Sequence, residues 1–205
     1  RRPTAGEGRP AGQRRSAPAN GKGRAVAYGD GLGEPVLNQE YEGARPGTTT
    51  RFSSKNVDFA GRATFGSYPL ASIAVWNSAV AGAHTSFDGL GRPTVSTQDS
   101  DLGTLTTSYA YLPGFQTRVT NPRGFATTTS YQVFDSPDSS HPTLIQSPTA
   151  VTTSIARDIF GKPTSLTRSG VWNSAPISEA RSDVYDANQR LCKRIEPATG
   201  APLMD

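Results

Sequence analysis

A chain of 205 residues with 34% hydrophobic residues can bury only a lean core, and its mean hydropathy of -0.50 agrees. A single cysteine, Cys192, excludes an internal disulfide framework. The net charge of +4 hints at nucleic acid, but its distribution removes most of that hint. Arg1, Arg2, Arg9, Arg14, Arg15, Lys22 and Arg24 stand against one acid, Glu7, in residues 1–24, so the body that follows is slightly acidic. Residues 1–24 therefore read as a basic, Gly/Pro-rich, disordered tail, and residues 25–205 as a separate folded region. A chain that starts on Arg and stops at Asp205 reads as a fragment of something longer.

In chain order, the tail first offers "SAPANGKGR" at 16–24, which brushes against a phosphate loop. Ser16 and Gly23 stand where that loop needs Gly and Ser/Thr, so it fails. "GDGLGE" at 29–34 misses the last glycine of the dinucleotide fingerprint, and no βαβ context follows. No apolar signal region follows the basic start, and the most apolar window, 70–83, is too short and polar to span a bilayer. Gly and Pro interrupt almost every helical window, which leaves short strands and turns.

From there the chain repeats itself. An aromatic or apolar residue, Asp, two variable residues, Gly and a basic residue recur in "GDGLGEPV" (29–36), "VDFAGRAT" (57–64), "FDGLGRPT" (87–94), "RDIFGKPT" (157–164) and "YDANQRLC" (185–192). "YLPGFQTRVT" (111–120), with Leu112 in the Asp place, is a weaker copy, and "FDSPDSSHPTLI" (134–145) is one with a longer turn. The equivalent positions are Asp30, Asp58, Asp88, Leu112, Asp135, Asp158 and Asp186, roughly 23 to 30 residues apart. "VWNSA" also occurs twice, at 75–79 and 171–175, in a chain with two tryptophans.

Each unit reads as a β-hairpin. In 105–111 the residues Leu105, Thr107, Tyr109 and Tyr111 share one face, and in 127–134 Thr127, Thr129, Tyr131 and Val133 do. Asp-x-x-Gly supplies the turn, because Asp can accept backbone N–H groups two residues on and Gly tolerates positive φ. The structural turn residues are then Asp58, Gly61, Arg62, Asp88, Gly91, Arg92, Asp158, Gly161, Lys162, Asp186 and Arg190. Pro93 and Pro163 begin the return strands, where a missing donor is tolerated.

Tyr/Phe-Asp-x-x-Gly-Arg, followed by a strand and an Asn/Asp-Pro-x-Gly turn, resembles the RHS/YD-repeat family. "TNPRGFATTTSYQVFD" (120–135) and "YDANQRLCKRIEPATG" (185–200) carry the resemblance, which covers residues 26–200. Gln189 departs from the usual Gly, and Glu34 departs from the basic residue in the first copy. The resemblance implies an all-β fold: a tandem array of about six or seven hairpins forming a curved antiparallel sheet, part of a larger hollow shell. It also implies a secreted or cell-surface, bacterial-type location. Its partners would be the remainder of a longer chain and a C-terminal toxin domain that the shell encloses. No specific nucleic-acid partner is expected. The family's self-cleavage element, similar to Asp-Pro-x-Gly, is missing; "NPRG" at 121–124 is a repeat turn.

No enzyme, cofactor or metal site is expected. His84 and His141 are the only histidines, and neither has a partner at zinc-ligand spacing. His141 reads as part of a solvated turn, and a periodic row of aspartates reads as turn caps rather than a catalytic pair. "QDSDLG" (98–103) lacks the distal Glu of a calcium loop. Trp76 and Trp172 read as packing residues, with a carbohydrate-contacting surface module as the alternative. Cys192 reads as a buried structural thiol on a strand.

Overall fold

Thr and Val fill the short intervals between Gly- and Pro-containing turns, and β-branched residues suit a pleated backbone. The structure, a computed structural model, describes residues 13–16, 23–31, 33–73, 79, 81–133, 139–196 and 202–204, with the backbone alone at 13–16 and 202–204. The chain divides into two units, Arg1–Thr106 and Thr107–Asp205.

The first unit holds β1 (Gln13–Ser16), β2 (Gly23–Gly29), β3 (Pro35–Glu42), a single helical turn α1 (Pro46–Thr49), β4 (Arg51–Val57), β5 (Ala63–Ser67), β6 (Gly82–Phe87), β7 (Pro93–Ser100) and the start of β8 (Gly103–Leu112). From β1 to β7 every strand pairs antiparallel with the next in the chain. Its core is small: Val26, Val36, Leu37 and Phe65 are buried, beside Ser54. Within the segment expected to be an unstructured tail, Gln13–Ser16 pairs with Ala25–Tyr28, and Gly23 and Arg24 already belong to β2. An uncovered β2 would present a row of unpaired backbone groups, which the arm satisfies.

The second unit continues β8 and adds β9 (Gln116–Thr120), β10 (Ala126–Tyr131), β11 (Pro142–Gln146), β12 (Thr152–Arg157), β13 (Pro163–Trp172), β14 (Ala175–Tyr185), β15 (Leu191–Ile195) and β16 (Pro202–Met204). Here too each strand is antiparallel to its successor. Thr107, Tyr109 and Tyr111 are half-buried on one face of β8 while Ser108 and Ala110 are exposed, as the alternation predicts, but Leu105, on the same face nearer the start of the strand, is exposed. β10 differs: all six of its residues are half-buried, so the two faces are shielded alike. Among the described residues of this unit no large apolar side chain is buried, whereas Asp183 is. Backbone ladders and turns, rather than a core, hold it together.

The ladder slips by one residue just before five of the aspartate turns, at Tyr28/Gly29, Asn56/Val57, Ser86/Phe87, Ala156/Arg157 and Val184/Tyr185. Phe87 then faces Pro93, and Arg157 faces Pro163. Proline, which has no N–H, falls where the bulge interrupts the ladder.

Candidate functional site

The repeated feature is the aspartate turn, and its geometry follows from one carboxylate. Asp58 donates its N–H to the Arg62 carbonyl at 2.9 Å, and Gly61 donates to the Asp58 carbonyl at 3.0 Å. Gly61 sits at φ 76°, the left-handed region that ends a three-residue hairpin loop. Asp58 Oδ1 accepts the N–H groups of Ala60 and Arg62, and Oδ2 accepts Arg62 Nε at 2.7 Å. The Arg62 Nη2 completes a forked pair with the same oxygen at 2.7 Å. Asp88 with Arg92 and Asp186 with Arg190 reproduce the set. Gln189 takes φ 65° in the glycine place. Asp158 keeps the backbone bonds to Phe160 and Lys162. In the first copy Glu34 donates its N–H to Asp30 Oδ1 at 3.0 Å, so the turn forms without the basic residue.

Partial desolvation pushes the Asp58 carboxyl up, but the Arg62 N–H, the Arg62 guanidinium and the Ala60 N–H outweigh it and hold it below its ordinary value. The Arg92 N–H is the largest influence on Asp88 and lowers it, against desolvation and with help from the Arg92 side chain and the Leu90 N–H. Asp186 is lowered in the same way, first by the Arg190 N–H. Lys162, from the preceding Asp158 turn, adds to that lowering.

That reach from one turn to the next recurs. Arg62 lies with its guanidinium carbon 4.7 Å from the Phe87 ring centroid, and its Nη1 would stand 3.0 Å from a Cβ added at Gly91. Lys162 Nζ lies 5.0 Å from the Tyr185 ring centroid and donates to the Gln189 carbonyl. Tyr185 returns a hydrogen bond from its hydroxyl to the Pro163 carbonyl at 3.0 Å. The basic residue of one turn therefore covers both the aromatic residue and the left-handed residue of the next.

His141 corrects the sequence reading. It is half-buried rather than a solvated turn residue, and its Nε2 would lie 2.6 Å from a Cβ added at Gly161. "SHPT" at 140–143 aligns with "GRPT" at 91–94 and "GKPT" at 161–164, so His141 fills the basic place of its copy. That alignment was the available signal. Arg157 stands where other copies have an aromatic residue, and donates to the Pro142 and Gly161 carbonyls at 3.0 and 2.6 Å.

In the first unit the turns at Asp30, Asp58 and Asp88 close β2–β3, β4–β5 and β6–β7, so they share one edge. In the second unit Asp158 and Asp186 share one edge, while Asn121 and Ser147 close β9–β10 and β11–β12 at the other. Asn121 Oδ1 accepts the N–H groups of Arg123 and Phe125 at 3.0 Å, with Gly124 at φ 80°. Asn thus builds the turn that Asp builds elsewhere. Leu112 has no carboxylate to give, yet it stands opposite Gln116 across a loop of the same length, 113–115, with Phe115 at φ 55° in the glycine place. Asp135 and Trp76 lie outside the described residues.

Trp172 is 69% exposed at the end of β13, which overturns the packing reading. Cys192 is on β15, as expected, but it is exposed. His84 packs its ring 4.6 Å from that of Phe65 and lies 4.0 Å from Asp99, whose carboxylate also accepts the Gly82 N–H. The sequence reading missed Asp183: it accepts Arg194 Nε at 2.8 Å and faces Arg181 at 3.4 Å. Among the described residues no three His, Cys, Asp or Glu side chains converge, and no helix is long and apolar enough to cross a membrane.

No family model matches the chain, and no curated protein does. Among solved structures it is similar to the crystal structure of TcdB2-TccC3, at 13% identity and a TM-score of 0.43, over 85% of this chain and 11% of that one. It is also similar to the Photorhabdus luminescens Tc holotoxin pore, at 12% identity and a TM-score of 0.44, over 89% of this chain and 11% of that one. The chain spans about a ninth of those chains (11%).

Proposed function

We propose that this chain is a non-catalytic section of wall in an RHS/YD-type β-shell, secreted or displayed at a cell surface, that encloses and helps deliver a C-terminal toxin domain. The observation that carries this reading is the link between turns, in which Arg62 covers Phe87 and Gly91, and Lys162 covers Tyr185 and Gln189. A wall must resist parting between neighbouring hairpins. Ladder bonds hold neighbouring strands, and these side chains tie successive turns along the edge where pairing ends. Sheets with few buried apolar side chains also suit a wall, whose faces are completed by what lies on either side. In this role the chain binds no cofactor and turns over no substrate.

The test is the size of the native product, by immunoblot and intact mass from the source cells, followed by limited proteolysis. The reading expects a product far larger than 21.7 kDa, with further repeats and a C-terminal domain that resists protease until the shell is opened. A native product of 21.7 kDa, or a C-terminal domain cut as fast inside the chain as alone, overturns it.

A further inference from the structure

The β13–β14 hairpin projects past its neighbours. β12 pairs with β13 no further than Ser169, and β15 pairs with β14 only from Ser182 onward. Among the described residues, the end beyond those limits is a two-stranded ribbon in which Gly170 faces Ile177, Val171 faces Pro176 and Trp172 faces Ala175, with Val151 beside Gly170 at its base. Asn173 at φ 49° and Ser174 at φ 63° close it with the left-handed pair of a tight hairpin turn, which presents the tip in a fixed conformation.

The tip is apolar on both sides. Alternation puts Trp172 and Ile177 on one face, and Val171 and Pro176 on the other. Val171 is 68% exposed and Ile177 53%. Residues 169–178 carry no charge, and the first charged pair, Arg168 opposite Glu179, lies at the base. We propose that this tip is a lipid-contacting element, inserting into the headgroup and upper acyl region of a bilayer with Trp172 leading. A flat partner surface would cover one face and leave the other apolar face in water, whereas a bilayer surrounds both. At ~3.3 Å per residue the uncharged end reaches about 10 Å, the depth of an interfacial insertion. The outer backbone edges of the ribbon stay hydrated among headgroups, which they would not in the hydrocarbon centre. Tryptophan, apolar with one N–H donor, favours that boundary. The inference does not depend on the wall reading.

The test uses the 205-residue chain carrying Trp76→Phe, so that Trp172 alone fluoresces as tryptophan. Vesicles of phosphatidylcholine are chosen because a basic segment such as residues 1–24 would be drawn to anionic lipid by charge alone. The expected result is a blue shift of Trp172 emission, quenching by lipid brominated near the top of the acyl chain, and co-flotation. Val171→Ser with Ile177→Ser should weaken partitioning roughly tenfold or more. Asn173→Asp, which keeps the apolar side chains and adds a charge at the turn, should also weaken it. Far-UV circular dichroism verifies that each variant keeps its strands. Emission indifferent to vesicles in the folded chain overturns the proposal. So does partitioning that survives both variants, or a response to oligosaccharides in place of vesicles.

Discussion

The guanidinium carbon of Arg62 lies 4.7 Å from the centroid of the Phe87 ring, although Arg62 belongs to one turn and Phe87 to the next. The same guanidinium grips Asp58 within its own turn. One side chain therefore closes a hairpin and joins it to its neighbour.

A double-mutant cycle on Arg62→Ala and Phe87→Leu measures that joint. Cation–π pairs at partly exposed sites are worth about 0.5–1 kcal/mol, so the coupling in urea denaturation should be of that size. Arg62→Lys should keep part of it and lose the forked pair with Asp58. A coupling of zero would mean that the stacking contributes nothing to stability.

Glycines along the sheet are not equivalent. At Gly124, φ is 80° and nothing lies within 4 Å of an added Cβ, so Gly124→Ala should cost only the left-handed penalty of about 1–2 kcal/mol. At Gly82 the φ is unproblematic, but an added Cβ would lie 2.1 Å from the Gly66 carbonyl oxygen. Backbone on β5 cannot step aside without breaking its ladder, so Gly82→Ala should cost about 3 kcal/mol or more. Thermal denaturation of the two variants should rank them in that order.

The Asp58, Asp88 and Asp186 carboxyls lie below the ordinary 3.8 in the folded chain. A depressed folded value means that the unfolded chain binds protons first as pH falls. Their contribution is therefore complete above about pH 5 and is lost as pH falls through 3.8 to the lower folded values. Asp88→Asn should retain the turn, since Asn121 builds the same turn with an amide. It should also lose the stability that the ionised carboxylate adds above about pH 5, and so flatten the slope of acid unfolding. Acid titrations of wild type and variant followed by circular dichroism check this, and an unchanged slope would contradict it.

Asp183 is 5% exposed and holds Arg194 at 2.8 Å and Arg181 at 3.4 Å. Asp183→Ala leaves two guanidinium groups facing a vacated site, with Glu196 3.9 Å from each as the remaining acid. Breaking a partly shielded charged network should cost about 2–3 kcal/mol in urea denaturation. Asp183→Asn, which preserves shape and one acceptor, should cost less.

Asp-x-x-Gly-basic-Pro-Thr predicts a turn, its left-handed residue and the start of the return strand from local chemistry alone. Asp58, Asp88, Asp158 and Asp186 all stand at such turns. At Leu112 the period still marks a three-residue loop, 113–115, with Phe115 in the left-handed place, although no carboxylate stands there to build it. His141 shows the opposite lesson. Its "HPT" wording marks the basic place of a repeat, yet what the ring touches, Gly161, is twenty residues away and belongs to another turn.

By itself, then, the sequence determined the short strands, the turns between them and the chain-order antiparallel pairing, because each is settled by contacts a few residues apart. Tertiary structure alone decided which side chains are shielded. Asp183 is buried while Cys192 and Trp172 are exposed, since burial depends on how far each neighbouring strand extends and on whether another layer covers the face. It also decided that Arg62 and Lys162 reach the following turn, because pairing in register brings together residues more than twenty positions apart in the chain.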